Sequence, residues 1–267
     1  MLPTTNLLIG KKGLILGIAN KHSIAYAIAQ VLVQNGAEIA ITYRGDSTAK
    51  RVIPLAEELN VKIVHQLNVS DVEELKHTSQ IIEKEFGKLD FIIHSIAFAD
   101  KDELQGRFLD TSLDNFLNSM NISCYSLVSV IKNMERLLVP NSSILTLSYY
   151  GAQKVVPNYN VMGVVKAALE TSVKYLAHDL GGSGIRVNAI SAGPIKTLAA
   201  SAIGDFGSML KIHEGTAPLK RNITLDDVAG AGLYFISDLS SGVTGEVHFV
   251  DGGYNIMGSF DISKSEA

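Results

Sequence analysis

The sequence predicts an α/β protein with one doubly wound domain, in which a mostly parallel, seven-stranded sheet carries helices on both faces. Short apolar runs of strand length alternate with longer segments whose apolar residues recur at helical spacing. The runs are apolar throughout, as is typical of strands whose two faces are both covered. Apolar residues make up 46% of the 267 residues and charged residues 19%, which supports a substantial core.

The order of the elements along the chain gives the topology. The predicted strands are residues 13–16, 38–42, 62–67, 91–94, 143–147, 186–190 and 247–250. The predicted helices are residues 23–34, 48–59, 72–86, 113–138, 158–180 and 225–237. This alternation implies right-handed crossovers and a Rossmann-like sheet, whose ligands bind beyond the carboxyl ends of the strands. No linker or repeat interrupts the pattern, so we expect one domain over residues 1–267.

Composition argues against several classes of protein. The net charge is −4 without a basic cluster, so nucleic acid is not an expected partner. The single cysteine, Cys124, cannot form an internal disulfide or a thiolate metal site, and we expect it to be a small apolar helix residue in a reducing compartment. There is no signal-peptide pattern and no apolar run of membrane-spanning length. We therefore expect a soluble, cytoplasmic protein with no metal and no membrane partner.

The segment after the first strand has features of a nucleotide-binding turn. Gly17 lets the backbone approach a pyrophosphate, and the next helix offers free N–H groups and the positive end of its dipole. Ser23, followed by Ile24, can cap this helix or donate to phosphate. The pattern Gly-x-Gly-x-x-Gly is absent, since Ala19 and His22 stand near the positions of the later glycines. An ordinary strand–turn–helix is therefore an open alternative.

The ends of the next three strands offer contacts to the rest of a dinucleotide. Arg44 follows the second strand, where it can meet a 2′-phosphate and so allow NADPH, or be a solvated surface arginine. Asn68 and Val69 follow the third strand and are candidates for the adenine edge. Residues 94–97 follow the fourth strand and are candidates to line the path of the ribose and nicotinamide. We interpret His94 as a packing residue, not a catalytic one.

A tyrosine and a lysine mark the predicted reacting centre. Tyr159 and Lys166 are seven residues apart on a predicted helix, so both side chains project from one face, separated by about 10 Å along the axis. The lysine can hold ribose hydroxyls while the phenol donates to an oxygen that becomes negative. An amphipathic helix with a snorkelling lysine would show the same spacing. Tyr149 and Tyr150 follow the fifth strand at the same edge, either facing Tyr159 or as rim residues.

The segment after the sixth strand is predicted to cover the site. The backbone of Ile195 can pair with a nicotinamide carboxamide, and residues 195–216 break the strand–helix rhythm, which predicts a mobile lid. Its apolar residues have helical spacing and form either a slot for an aliphatic chain, which we favour, or a helix face packed on the core. They are Ala199, Ala200, Ile203, Phe206, Met209 and Leu210.

Taken together, these motifs resemble the short-chain dehydrogenase/reductase superfamily and, within it, bacterial enoyl-acyl-carrier-protein reductases of the FabI type. The resemblance extends from about residue 10 to residue 258, and its most specific segments are 17–25, 94–99, 157–163, 192–200 and 250–254. Ordinary superfamily members carry Tyr-x-x-x-Lys, but here the lysine is three residues further on. They also carry a serine where this chain has Thr146, and Asn-Asn-Ala-Gly where it has His-Ser-Ile-Ala. These three departures distinguish enoyl reductases from carbonyl reductases.

The resemblance implies a reaction. NADH, or less often NADPH, delivers hydride to C3 of a trans-2-enoyl thioester, in the last reductive step of type II fatty acid elongation. The resulting enolate oxygen is held by Tyr159 and a ribose hydroxyl, and protonation at C2 follows. Lys166 mainly binds the cofactor. Tyr149 lies ten residues before Tyr159 and matches the family's second tyrosine, so we prefer it to Tyr150.

The resemblance also assigns residues to ligands. The implied catalytic residues are Tyr149, Tyr159 and Lys166. The implied cofactor contacts are Gly17, Ser23, Ile24, Arg44, Asn68, Val69, Ser95, Ile96, Lys166 and Ile195. The implied substrate contacts are Ala97, Tyr149, Tyr159, Met162, Ala199, Ile203 and Phe206. Asn68 stands where many relatives have aspartate, which weakens the implied adenine contact.

Further implications concern partners. The family is usually a homotetramer, and many members bind triclosan against the cofactor, here between Tyr159, Ala97 and the lid. The substrate is carried by an acidic carrier protein, which meets basic residues on the lid helix of well-known relatives. Residues 204–208 contain no lysine or arginine. We therefore expect a weaker or displaced docking patch, built from Lys196, Lys211, Lys220 and Arg221.

Two other functions share parts of this pattern. A carbonyl or alcohol dehydrogenase would use Tyr159 to protonate a carbonyl oxygen, but the serine is missing at Thr146 and the Tyr–Lys interval is long. A regulator that binds NAD(P) without turnover would not need Tyr149, Tyr159 and Lys166 together. The sequence therefore favours an enoyl-thioester reductase.

Overall fold

The centre of the protein is a seven-stranded sheet in the order β3-β2-β1-β4-β5-β6-β7. The computed structural model describes residues 6–198, 200 and 204–258. The strands are β1 Lys12–Leu16, β2 Glu38–Tyr43, β3 Ile63–Gln66, β4 Leu89–His94, β5 Leu138–Ser148, β6 Arg186–Ala192 and β7 Val247–Val250. Every neighbouring pair among these strands is parallel, so the sheet predicted as mostly parallel is parallel in all seven.

Helices cover both faces of the sheet, as predicted. They are α1 Ile24–Gln34, α2 Asp46–Glu58, α3 Val72–Phe86, α4 Leu113–Met120, α5 Ser126–Met134, α6 Val161–Gly181, α7 Phe206–Thr216 and α8 Leu225–Ile236. Buried residues of α1, α2 and α8 belong to one core cluster, and those of α3, α5 and α6 belong to the other. None of the helices that the structure describes combines the length and the apolar character needed to cross a membrane.

The strands supply both cores by alternation. In β1, Leu14 and Leu16 belong to the cluster beneath α3, α5 and α6, while Ile15 belongs to the cluster beneath α1, α2 and α8. All three are fully buried. Successive side chains of a strand point to opposite faces, and here both faces are covered. This explains why the strands read as continuous apolar runs in the sequence.

The predicted helix 113–138 is wrong in two respects. A π-helical turn, Asn121–Tyr125, separates α4 from α5, and a 3₁₀ turn, Glu135–Leu137, ends the helical stretch. The chain then enters β5 at Leu138. A single π-helical turn within a helix is rare, so the periodicity of the sequence does not predict it.

The strand order determines where a ligand can bind. β1 lies between β2 and β4. From β1 the chain adds β2 and β3 on one side, and it then returns to add β4 on the other side, so the strand order reverses at β1. The loops that follow β1 and β4 therefore diverge and leave a crevice at the carboxyl edge. The loops after β5 and β6 reach the same edge because all these strands are parallel.

Candidate active site

A cavity of about 580 Å³ lies at this carboxyl edge. It is lined by the loops after β1 to β6, by the first turns of α6 and by the start of α7. Every residue that the sequence assigns to catalysis, cofactor or substrate lines it, with two exceptions. Ala199 and Ile203 lie outside the described residues. The fold thus brings together assigned residues that are up to 189 positions apart in the sequence, from Gly17 to Phe206.

The turn after β1 has no room for a side chain. Gly17 has a φ of 99°, and a Cβ built on it would lie 1.9 Å from the carbonyl oxygen of Ser95. Any other residue would be strained and would also push away the loop after β4. The bare backbone at this turn fits the close approach of a pyrophosphate, so this end of the cavity fits a dinucleotide.

Ser23 does not cap α1 with its side chain, so that part of its predicted role is wrong. Its hydroxyl oxygen accepts hydrogen bonds from the backbone N–H groups of Ala19 and Asn20, at 3.0 and 3.1 Å. The lone pairs therefore hold the turn in shape. Ser23 lines the cavity, and its hydroxyl can still donate its proton to a ligand there.

The adenosine side of the cavity is more open. Arg44 is exposed at the end of β2, and its guanidinium carbon lies 5.4 Å from the centre of the Phe98 ring. Asn68 closes its own turn, because its side-chain oxygen accepts from the N–H of Ser70 at 3.2 Å and its backbone N–H donates to Glu74 at 2.6 Å. Val69 beside it is buried. Asn68 thus uses its oxygen within the loop, which leaves its amide donors for a ligand.

Two phenols meet at the other end of the cavity. The rings of Tyr149 and Tyr159 pack edge to face, with centroids 4.9 Å apart and planes at 69°. A Cβ on Gly151 would lie 2.4 Å from the Tyr159 ring, so only glycine lets the loop pack this closely. Burial is the main reason that the pKa of both phenols is raised. Both are therefore protonated donors at neutral pH.

The structure separates Tyr149 from Tyr150. The Tyr149 hydroxyl donates to the sulfur of Met209 on α7 at 3.2 Å, so it links the loop after β5 to the predicted lid. Tyr150 instead packs edge to face on Phe249 and Tyr254 and does not line the cavity. Of the two neighbours, only Tyr149 stands beside Tyr159.

Lys166 is a buried cation that lines the cavity at the same end as the two phenols. It is 5% exposed, and its ammonium donates to the carbonyl oxygen of Leu147 at 2.7 Å. Burial lowers the pKa of Lys166 to about 8, and negative charge on Cys124 and, to a smaller extent, on Glu170 opposes this effect. The lysine is therefore mostly protonated at neutral pH and can offer its remaining N–H groups to ribose hydroxyls.

His94 and Thr146 bond to each other beneath the cavity. The His94 ring lies 3.0 Å from the Thr146 hydroxyl and 2.8 Å from that of Ser126. Complete burial holds the pKa of His94 near 3, so the ring is neutral. The Thr146 hydroxyl also donates to the His94 carbonyl. Neither residue lines the cavity, and His94 has the packing role that the sequence suggested.

Two contacts were not predicted from the sequence. Ser148 donates to the buried carboxylate of Glu170 at 2.6 Å, and Met209 accepts from Tyr149. A signal for the first existed, because Glu170 is four residues after Lys166 and so lies on the same helix face. The second depends on how α7 folds back over the sheet, which no local pattern reveals.

Comparison with known proteins identifies the family of this chain. Residues 17–255 match the family model described as enoyl-(acyl carrier protein) reductase. The chain belongs to this family. An NADH-dependent enoyl-acyl-carrier-protein reductase of Rickettsia typhi is 59% identical to this reductase over 256 residues, which is 96% of this chain and 98% of that protein.

Solved structures of similar reductases contain dinucleotides. The enzyme of Anaplasma phagocytophilum, solved with NAD, is 52% identical, with a TM-score of 0.92 over 96% of both chains. That of Bacillus cereus, solved with NADP⁺ and indole naphthyridinone, is 47% identical, with a TM-score of 0.92 over 95% of this chain and 99% of that one. In the present reductase, no group of three His, Cys, Asp or Glu side chains within the described residues could hold a metal ion.

Proposed function

We propose that this chain reduces the 2,3 double bond of trans-2-enoyl thioesters on acyl carrier protein, with NADH as the donor, in the last reductive step of type II fatty acid elongation. Membership of the reductase family and the full-length match to NADH-dependent relatives support this function. The observation that carries it is the pairing of a buried, protonated Tyr159 with a buried Lys166 in one cavity.

Tyr159 is the residue we assign to the substrate oxygen. When bound, NADH supplies the hydride for C3 of the enoyl chain, and negative charge then develops on the thioester oxygen. The phenol donates a hydrogen bond to that oxygen from an environment that excludes water, where such a bond is strongest. Its raised pKa keeps the proton on the phenol until the charge appears. Tyr149 packs on its ring and limits the directions in which the hydroxyl can point.

Lys166 is the residue we assign to the nicotinamide ribose. Its ammonium is fixed by the Leu147 carbonyl, and the two other N–H groups can donate to ribose hydroxyls. A fixed positive charge near the thioester also favours negative charge on its oxygen. The same ammonium therefore serves both binding and charge stabilisation, with binding the larger part.

Arg44 is the residue we assign to the choice between NADH and NADPH. It is exposed at the end of β2, where the adenosine ribose lies in this type of sheet. A similar reductase was solved with NADP⁺, so the architecture accepts a 2′-phosphate. NADH is the cofactor by similarity to the NADH-dependent relatives, and Arg44 leaves NADPH as a second cofactor.

Ketone reduction is the function closest to this one, and the structure gives it little support. A carbonyl reductase of the superfamily would use a serine hydroxyl at the position of Thr146. That hydroxyl donates to the His94 carbonyl and lies outside the cavity. Among the residues that the structure describes, Tyr159 and its neighbour Tyr149 are the phenol donors at the proposed reacting centre.

The segment 195–216 is proposed as the substrate lid. Phe206 and Met209, at the start of α7, line the cavity, and Met209 touches Tyr149. The carrier protein would dock beside it on the exposed Lys196, Lys211 and Lys220. Arg221 adds little charge to this patch because Asp227 holds it in a bidentate ion pair.

Assembly, location and inhibition follow from the same assignment. Exposed apolar side chains share one face of α4 (Leu113 and Leu117) and one face of α6 (Val164 and Tyr175), which supports the burial of these helices in a homotetramer. A free, buried cysteine suits the reducing cytoplasm. A phenolic inhibitor such as triclosan would fit against Tyr159, between Ala97 and the lid.

Substrate selection tests the proposed function. The loss of NADH absorbance is measured with crotonyl-coenzyme A and with a panel of ketones at equal concentrations. We expect turnover with the enoyl thioester and none above background with the ketones. Turnover with ketones alone would contradict the proposed reaction, and cofactor binding without any turnover would indicate a regulator.

A further inference from the structure

Helix α6 is tied to the end of β5 by two side-chain hydrogen bonds one helical turn apart. Lys166 donates to the carbonyl oxygen of Leu147, and Glu170 accepts from the hydroxyl of the next residue, Ser148. Tyr149 follows directly in the chain. The two bonds therefore hold α6, which carries Lys166 and begins just after Tyr159, against the loop of the second phenol.

Glu170 is an unusual residue for this place. It is 7% exposed on the core side of α6, where ionised carboxylates are rarely found without a partner. Its position four residues after Lys166 brings the two side chains to the same helix face. Removing a carboxylate from water is costly, so a carboxylate that is kept at such a site is expected to act on a neighbouring group.

The neighbouring group is Lys166, whose own burial favours the neutral amine. Three other titratable side chains face this region. Burial raises the pKa of the Cys124 thiol on the π-helical turn and that of the Tyr159 phenol, and it lowers the pKa of His94 on β4, so all three are neutral at pH 7. Cys124 could raise the pKa of Lys166 only as a thiolate, which burial disfavours at pH 7. Among the described groups near the lysine, Glu170 is thus the one whose negative charge can offset the desolvation of the ammonium at this pH.

We propose that Glu170 is a positioning residue of the reductase: its buried carboxylate, held in place by Ser148, keeps Lys166 charged and so ready to bind the cofactor ribose. This inference rests on the assignment of Lys166 to the cofactor. The inference explains why Lys166 stays charged, and it links this charge to the loop that carries Tyr149, because Ser148 of that loop holds Glu170. Glu170 itself does not line the cavity, so it acts through Lys166.

The pH dependence of NADH affinity in Glu170→Gln tests the proposal. Glutamine still accepts from Ser148 but carries no charge, so the pKa of Lys166 is expected to fall by about one unit. The variant should then bind NADH about five-fold more weakly than the wild type at pH 8 and almost equally well at pH 6. Asp179→Asn, which removes an exposed charge from the same helix, should match the wild type at both values.

A second readout needs neither cofactor nor turnover. Lysine labelled with ¹³C at Cε is titrated by NMR in the full chain, and the Lys166 signal is assigned by its loss in Lys166→Ala. The midpoint is expected near 8 in the wild type and in Asp179→Asn. It should be about one unit lower in Glu170→Gln. A general structural weakening by the substitution would admit water to the ammonium and so move this midpoint upward, in the opposite direction.

The outcomes separate this inference from the proposed roles of the site. If Lys166→Ala leaves NADH affinity unchanged, the assignment of Lys166 to the cofactor is wrong. If Lys166→Ala weakens binding but Glu170→Gln moves neither the pH profile nor the midpoint, only the role of Glu170 is overturned. Should Glu170→Gln fail to fold, Ser148→Ala replaces it. Loss of the donor leaves the carboxylate less firmly held beside Lys166, so a smaller shift in the same direction is expected, and no shift would overturn the proposal.

Discussion

The two ends of the cavity are built differently. At the reacting end, Tyr159 and Lys166 are 8% and 5% exposed, and burial shifts the pKa of both. At the adenosine end, Arg44 is exposed and Asn68 closes its own loop. Electrostatic effects are strong where water is excluded and weak where it is not. We therefore expect the buried end to determine rate and the exposed end to adjust cofactor choice.

The largest effect is expected at the phenol. Tyr159→Phe removes the donor to the thioester oxygen but keeps the ring that packs on Tyr149 and Gly151. Loss of one such donor should reduce kcat by about 10²- to 10³-fold, with little change in NADH affinity. Single-turnover oxidation of NADH by crotonyl-coenzyme A measures this step.

Tyr150 offers a matched control for that variant. It is a phenol of the same loop, but it packs on Phe249 and Tyr254 outside the cavity. Tyr150→Phe should keep nearly the wild-type rate. Equal losses in the two variants would show that the effect comes from the loop as a whole and not from the hydroxyl beside the substrate.

Lys166 should affect binding more than rate. Lys166→Ala removes a charge-assisted donor and leaves the Leu147 carbonyl without its present partner. Hydrogen bonds to charged groups contribute about 1.5–3 kcal/mol, so NADH affinity should fall by about 10- to 100-fold. Titration of NADH fluorescence measures the change. A fall in kcat at unchanged NADH affinity would contradict the assigned role. It would mean that Lys166 acts in the reaction and not in cofactor binding.

Much of this difference between the ends could be predicted from the sequence. Apolar runs of strand length revealed a sheet covered on both faces, and in a parallel sheet the carboxyl ends of strands meet at one edge. The predicted topology alone therefore locates the site at the carboxyl edge of the sheet, without any side-chain contact. The interval between Tyr159 and Lys166 is close to two turns, which predicts that both lie on one helix. This is wrong for Tyr159, which lies in the turn just before α6 begins at Val161.

Other features depend on three-dimensional context that local patterns do not contain. The spacing from Lys166 to Glu170 predicts a shared helix face, but not that Ser148 meets the carboxylate beneath β5. Ser23 has the residue type of a helix cap, yet its oxygen turns back to the loop amides. The sequence predicts a continuous helix through residues 121–125, where the structure has a π-helical turn that helical periodicity does not distinguish.

A smaller effect is expected where the reacting end meets the proposed lid. Tyr149→Phe removes the donor to the Met209 sulfur but keeps the edge-to-face contact with Tyr159. Because a neutral hydrogen bond contributes about 1 kcal/mol, we expect a roughly five-fold rise in KM for the enoyl thioester with a nearly constant kcat. A loss in kcat as large as that of Tyr159→Phe would instead place Tyr149 on the substrate oxygen.

The smallest effect is expected at the adenosine end. Arg44→Ala should weaken the use of NADPH by about two- to five-fold and leave NADH almost unchanged, because an exposed ion pair contributes about 1 kcal/mol or less. The ratio of kcat/KM for the two cofactors measures this. Equal losses for both would mean that Arg44 does not distinguish the two cofactors. The adenosine end would then have no residue assigned to cofactor choice.

The central claim is that the Tyr159 hydroxyl contacts the oxygen on which negative charge develops. A crystal structure of the ternary complex with NAD⁺ and an enoyl-thioester analogue tests it most directly. We predict that the hydroxyl oxygen lies about 2.5–3.0 Å from the thioester oxygen, within hydrogen-bonding distance. A hydroxyl turned away from the ligand, with another group contacting that oxygen, would contradict the account.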